Sequence, residues 1–219
     1  MLVNNKYNYK INVDNDFVNV IVCENPIIYY DMISDLFNTD NSRFILSHKD
    51  ERLEIEKHCD IIINPLELNI NNKKNIDKLY MQLIEKMNYN EFFIMKNQLY
   101  LNIVSYINKI SFECNYSLNY ADNIETKGLL KLLDICIEDK SLNFFEKINN
   151  YLKICNELQG RKIYIFINLK SFLSIDQLNN LYKNIIYNKY NVILFENVDR
   201  ISLVDEKKII IDKDGCIIG

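Results

Sequence analysis

A chain of 219 residues, 48% hydrophobic and 26% charged, is long enough for a sizeable core and has the composition of an ordinary globular protein. Its formal net charge of −4 excludes a domain that holds nucleic acid through bulk positive charge, so any contact with phosphates has to rest on local lysine clusters. No apolar run approaches the ~20 residues of a membrane span. The opening MLVNNKYNYK lacks the apolar centre of a secretory signal, so a cytoplasmic protein with no membrane partner is expected.

Residues 1–13 read as a short strand or hairpin. Phe17 to Cys23 (FVNVIVC) is a buried strand, followed by Glu24-Asn25-Pro26 and a helix from about Ile27 to Phe37. Pro26 suits a first helical turn, where its missing N–H would have no partner anyway. Phe44 to Leu46 and Cys59 to Ile63 are two more short strands, separated by a charged connection from Lys49 to Lys57. Between Asn71 and Gln159 the pattern turns helical. Ile76, Leu79, Tyr80, Leu83, Ile84 and Met87 form one apolar stripe, and Phe92, Phe93, Leu99, Tyr100, Ile103, Val104, Ile107 and Ile110 a second, on a long helix. Leu129, Leu130, Leu132 and Leu133 mark a shorter helix; Phe144, Phe145, Ile148, Leu152, Cys155 and Leu158 mark the last.

Gly160 to Arg200 reads as strand, helix, strand. Ile163 to Ile167 is a continuous apolar run, too unbroken for a strand with one wet face. Ser174 with Gln177 makes a capping box, and Ile175, Leu178, Leu181, Tyr182, Ile185 and Ile186 then recur at helical spacing. Asn191 to Glu196 is the second buried strand. A helix joining two buried strands is the crossover that a parallel pair requires. After Arg200 the chain closes with KKIIID and CIIG around the turn Lys213-Asp214-Gly215. The expected organisation is an α/β domain built from residues 1–70 and 160–219, with an α-helical domain of residues 71–159 inserted into it.

The strand–turn–helix at Phe17 to Phe37 is where a nucleotide-binding α/β domain carries its phosphate loop. Such a loop needs glycines, so that backbone N–H groups reach the phosphates, and a lysine. Here the connection is Glu24, Asn25 and Pro26, and the first glycine of the chain is Gly128. A carboxylate repels phosphate and a proline removes a donor, so hydrolysis of ATP or GTP at this position is not expected. The six cysteines are scattered without a C-x-x-C pair, and His48 and His58 have no zinc spacing, so core or surface filler is the expected role of all eight.

Four stretches, in order, resemble one family. They are VIVCENP (Val20 to Pro26), LSHKDERLEIEKHCDIIINPLELNINNKKNIDKLY (Leu46 to Tyr80), FINLKSFLSIDQLNNLYKNIIYNKYNVILFEN (Phe166 to Asn197) and EKKIIIDKDGCII (Glu206 to Ile218). Together they are similar to the Csn-two family of CRISPR-associated proteins, which act in spacer acquisition in type II-A systems. The resemblance implies a P-loop-kinase-like α/β domain lacking a functional P-loop, plus the α-helical domain. It further implies a non-catalytic homotetrameric ring that binds the ends of linear double-stranded DNA without sequence preference, uses calcium ions to hold its conformation, and works beside the adaptation integrase and the effector nuclease.

For DNA, the candidate clusters are Lys73 with Lys74, Lys127 with Lys131, Lys49 with Arg52, and Arg161 with Lys162, the first two pairs ranking first. A solvated surface is the alternative reading of each. For calcium, which takes several converging oxygens, the available carboxylates around the short middle helix are Glu113, Asp122, Glu125, Glu138 and Asp139. An ordinary polar loop is the alternative there. Two other functions stay open on the residues alone: a degenerate nucleotide-binding protein, and a metal-dependent nuclease using acids such as Asp31, Asp35 and Asp60. A protein–protein scaffold without DNA binding is the further alternative.

Overall fold

The computed structural model describes residues 1–7, 9–13, 16–38, 42–49, 51–114, 118–121, 123–160 and 162–218. The chain forms two compact units, Met1–Ile70 with Asp139–Gly219, and Asn71–Glu138.

The first unit is mixed α/β with two sheets. The larger has six strands in the order β10-β9-β3-β8-β7-β6, with β3 Val18–Cys23, β6 Cys59–Ile62, β7 Ile163–Ile167, β8 Asn191–Glu196, β9 Glu206–Ile211 and β10 Ile217–Ile218. All neighbours are parallel except the terminal pair β9 and β10. The expected parallel pair is β7 and β8, in register from Ile163 opposite Asn191 to Ile167 opposite Phe195. Their crossover is helix α7, Ile175–Tyr187, which carries the complete Ser174–Gln177 capping box. Every residue of β3 is buried, as are all but the first of β7 and of β8, which is what covered faces on both sides demand.

The second sheet is antiparallel, order β2-β1-β4-β5, from β1 Leu2–Asn4, β2 Tyr9–Ile11, β4 Phe44–His48 and β5 Glu51–Leu53. Its inner face (Leu2, Tyr9, Ile11, Phe44, Leu46) joins Ile21, Cys23, Ile165, Ile193, Phe195 and Ile211 of the larger sheet in one core with helix α1, Pro26–Phe37. Phe44 meets both Tyr9 and Phe195 edge-on, with ring centroids 6.4 and 6.0 Å away. The connection expected to be merely charged, Lys49 to Lys57, contains β5 and the short helix α2, Ile55–His58. A three-residue edge strand rich in charge has no apolar period to announce it. Lys49 takes φ 48° to turn the chain back.

The other face of the large sheet is covered by α7 and by helix α6, Phe144–Gln159. Here the structure corrects the expected boundary: the helical unit ends at Glu138, and α6 belongs to the α/β unit. The reason is packing. Ile148, Leu152 and Cys155 are fully buried, the Tyr151 hydroxyl donates to Asp60 at 2.6 Å, and Asn184 of α7 donates to Asn149.

The second unit holds helices α3 Lys73–Met87, α4 Asn90–Ser111 and α5 Thr126–Leu132. Asn72 caps α3 through the N–H of Asn75. The Tyr80 hydroxyl donates to the carbonyl of Leu130 at 3.4 Å, tying α3 to α5. Asn71 exchanges two hydrogen bonds of 2.8 Å with the backbone of Ile137, closing the unit's two ends on each other. No helix of the described residues is long and apolar enough to cross a membrane.

Candidate functional site

The loop after β3 is held by its own side chains. Asn25 is the N-cap of α1, and its Oδ1 accepts from the N–H groups of Ile27 (3.0 Å) and Ile28 (3.1 Å). Those are the first free amides of the helix, the groups that would face a phosphate. The Asn25 side chain takes them and turns its own Nδ2 to the carbonyl of Lys213 at 2.8 Å, in the β9–β10 turn. Gly215 completes that turn at φ 84°, where a Cβ would also sit 3.1 Å from Ile28. Glu24 donates its N–H to Ile211 at 2.9 Å. Glu24, Asn25 and Pro26 thus form a capped, internally bonded connection.

The lysines divide between the units. Lys73 and Lys74 open α3, and Lys127 and Lys131 lie four residues apart on α5, all four in the helical unit. Lys127 is 3.7 Å from Asp77, one helical turn beyond Lys73, so α5 meets α3 on the face that Lys73 begins. The two pairs ranked first are thereby brought to neighbouring helices. Lys49, Arg52 and Lys162 lie in the α/β unit: Lys49 in the β4–β5 turn, Arg52 in β5, and Lys162 just before β7, lining a cavity with both histidines, His48 and His58. Arg161 lies outside the described residues. Residues 71–138 hold eight lysines and eight carboxylates, so the net charge of −4 belongs to the other unit.

The carboxylates named for calcium fall in different segments of the chain. Glu113 follows α4, Glu125 precedes α5, and Glu138 is the last residue of the helical unit, whereas Asp139 begins the next segment of the α/β unit. Asp139 Oδ1 already accepts from the Ser141 N–H and Oγ and from Asn150, which hold its carboxyl below the usual range. Asp122 lies outside the described residues. Among the described residues, no three His, Cys, Asp or Glu side chains come together as metal ligands would. The acids weighed for nuclease chemistry are partnered: Asp31 bonds Lys6 at 2.6 Å and shares Arg43 with Asp35, and Asp60 accepts from Tyr151.

The feature that sequence reasoning undervalued is α4. Its expected stripe exists, yet none of its described residues is buried, and apolar side chains off the stripe are bare as well: Ile94 is 69% exposed and Met95 64%. The signal was in the sequence, since Ile94, Met95, Leu101 and Tyr106 fill the remaining faces of the helix. A helix apolar on most sides is one that something else covers.

Residues 36–215 match the model of a family described as CRISPR-associated protein (Cas_Csn2). A "CRISPR-associated protein Csn2" of Streptococcus agalactiae is 31% identical over 113 residues, which is 50% of this chain and 49% of that protein, so the match spans about half of the relative's length. The fold is similar to the crystal structure of Stu0660 of Streptococcus thermophilus, with a TM-score of 0.50 at 17% identity, covering 87% of this chain and 67% of that one.

Proposed function

Because the chain belongs to the Cas_Csn2 family of CRISPR-associated proteins, we propose that it serves spacer acquisition as a non-catalytic homotetrameric ring on the ends of linear double-stranded DNA. The observation that carries the reading is α4, whose bare apolar surface asks for a protein partner, and identical copies of the chain supply one. Assembly also answers the charge problem. One helical unit is formally neutral, but copies arranged about an axis sum the fields of Lys73, Lys74, Lys127 and Lys131 where they converge.

The capped β3–α1 loop supports a reading without nucleotide chemistry, since its first helix amides are already satisfied. Calcium enters this reading through the family resemblance and not through the described carboxylates. The adaptation integrase and the effector nuclease are the expected partners in the cytoplasm. A gel shift comparing linear and closed circular duplex of one sequence, with calcium or with chelator, tests the proposal. Binding of the linear form alone, without cleavage and weakened by salt, is the expected result. Equal binding of circles refutes the threading of an end. No binding of either form leaves the scaffold reading.

A further inference from the structure

Helix α4 turns one face to its own unit. Lys96, Tyr100, Val104, Ile107 and Ser111 are half-buried on that face, where the Tyr100 hydroxyl donates to the carbonyl of Ala121 at 2.9 Å. Phe92, Met95, Leu99, Ile103, Tyr106 and Ile110 lie on the adjoining face and are 38% to 64% exposed. Steps of three and four residues keep these six in one line along a straight helix, a ridge about 27 Å long.

The ridge reads almost the same from either end. Turned end for end at the level of residue 101, it sets Phe92 opposite Ile110, Leu99 opposite Ile103, and Met95 one residue short of Tyr106. The charges agree with that direction. Glu91 and Lys109, both exposed, stand 18 residues apart, which is five full turns, so they share one flank of the ridge. Antiparallel packing brings like flanks together. Each Glu91 then comes within about 3 Å along the axis of Lys109 on the other helix, inside the reach of both side chains. A parallel pair would need Lys96 from the opposite flank, and Lys96 Nζ is held 5.2 Å over the ring of Phe93 on its own helix.

We propose that α4 pairs antiparallel with α4 of a second copy of the chain, ridge against ridge about a two-fold axis between Leu99 and Ile103, with two Glu91–Lys109 contacts setting the direction. This rests on the reading that identical copies cover the helix, and adds how they meet. Burial of the ridge supplies the attraction, and the flanking charges select the orientation. Such a contact is self-complementary and closed, because it uses the same surface on both copies.

Exchange of the two charges tests the pairing, read by sedimentation equilibrium of the full chain without DNA. Glu91→Lys and Lys109→Glu each turn two attractive contacts into two repulsive ones, and each weakens self-association by about tenfold. An equimolar mixture of the two variants regains the parent's mass, since every contact is again between opposite charges, and so does the double variant. Both positions are exposed, so far-ultraviolet circular dichroism stays that of the parent. A parent that associates while neither variant departs from it overturns the pairing and leaves the ring to another interface. Loss in Glu91→Lys with Lys109→Glu neutral overturns the antiparallel direction. A parent that is monomeric at every concentration overturns the pairing and the ring together. Rescue in the mixture, beside a gel shift without DNA binding, upholds the pairing and overturns only the ring on DNA.

Discussion

Replacing Lys170 by Met tests what holds the underside of the large sheet together. Lys170 follows β7, and its Nζ reaches Glu206 Oε2 at 2.7 Å with the two side chains 2% and 0% exposed. The Tyr182 hydroxyl donates to the same oxygen at 3.2 Å, and the backbone N–H of Lys170 donates to Glu196 Oε1 at 3.0 Å. Glu206 Oε1 and Glu196 Oε2 have no hydrogen-bond partner, and Lys208 Nζ stands 3.9 Å from Glu206 Oε1 as a second, more distant cation. Methionine keeps the length of the stem and removes the charge. Breaking such a buried pair from one side costs roughly 3–5 kcal/mol, because the remaining carboxylate stays buried and keeps only the more distant Lys208, at 3.9 Å. For a chain of this size each kcal/mol lowers Tm by about 2–4 °C, so a fall of roughly 6–20 °C is expected. Near-ultraviolet circular dichroism of the tyrosines through a urea or thermal transition reads it. The double substitution Lys170→Met with Glu206→Gln should recover a large part of the loss. A single variant within about 1 kcal/mol of the parent would refute the argument, since that is the range of an exposed pair.

Three further outcomes follow from the same geometry. Burial raises the Glu196 carboxyl to about 7 from 4.5, so the folded state keeps a proton that the unfolded chain loses. That contribution is complete below the unfolded value and disappears as pH rises through about 7; at about 1.4 kcal/mol per pH unit of separation, it amounts to roughly 3 kcal/mol. Urea midpoints across this window should fall with pH, and Glu196→Gln should flatten them; an unchanged slope in the variant contradicts the assignment. Asn25→Ala removes the cap of α1 and should cost about 1 kcal/mol, read by chemical denaturation. If the loop were poised for phosphate instead, the freed amides would bring measurable ATP binding. Met95→Glu on α4 should shift the assembly to monomers in size-exclusion chromatography with light scattering. An unaltered mass would place the interface elsewhere.

The family of elements was legible because the large sheet is buried on both faces. Strand β7 reads as an unbroken apolar run, β3 as one interrupted only at Asn19 and β8 as one between Asn191 and Glu196, and the Ser174–Gln177 box marks the start of α7 to the residue. The same reasoning failed at β5, where charge on an edge strand hides the period, and at α6. The stripe of Ile148, Leu152 and Cys155 identified a helix, but an amphipathic stripe does not say which surface it covers.

What the sequence by itself determined is therefore local and chemical: the crossover unit, the β3–α1 connection without a phosphate loop, and the lysine pairs at their helical spacings. Periodicity, capping and residue type settle these within a dozen or so neighbours. Only the tertiary structure decided that β1, β2, β4 and β5 form a sheet of their own, that α6 belongs to the α/β unit, and that Asp139 parts from Glu138. The structure alone also placed Lys170 beside Glu206, 36 residues further along the chain. Pairings at such separations are fixed by which apolar faces bury together and by the register of parallel strands, and neither leaves a mark on the residues nearby in sequence.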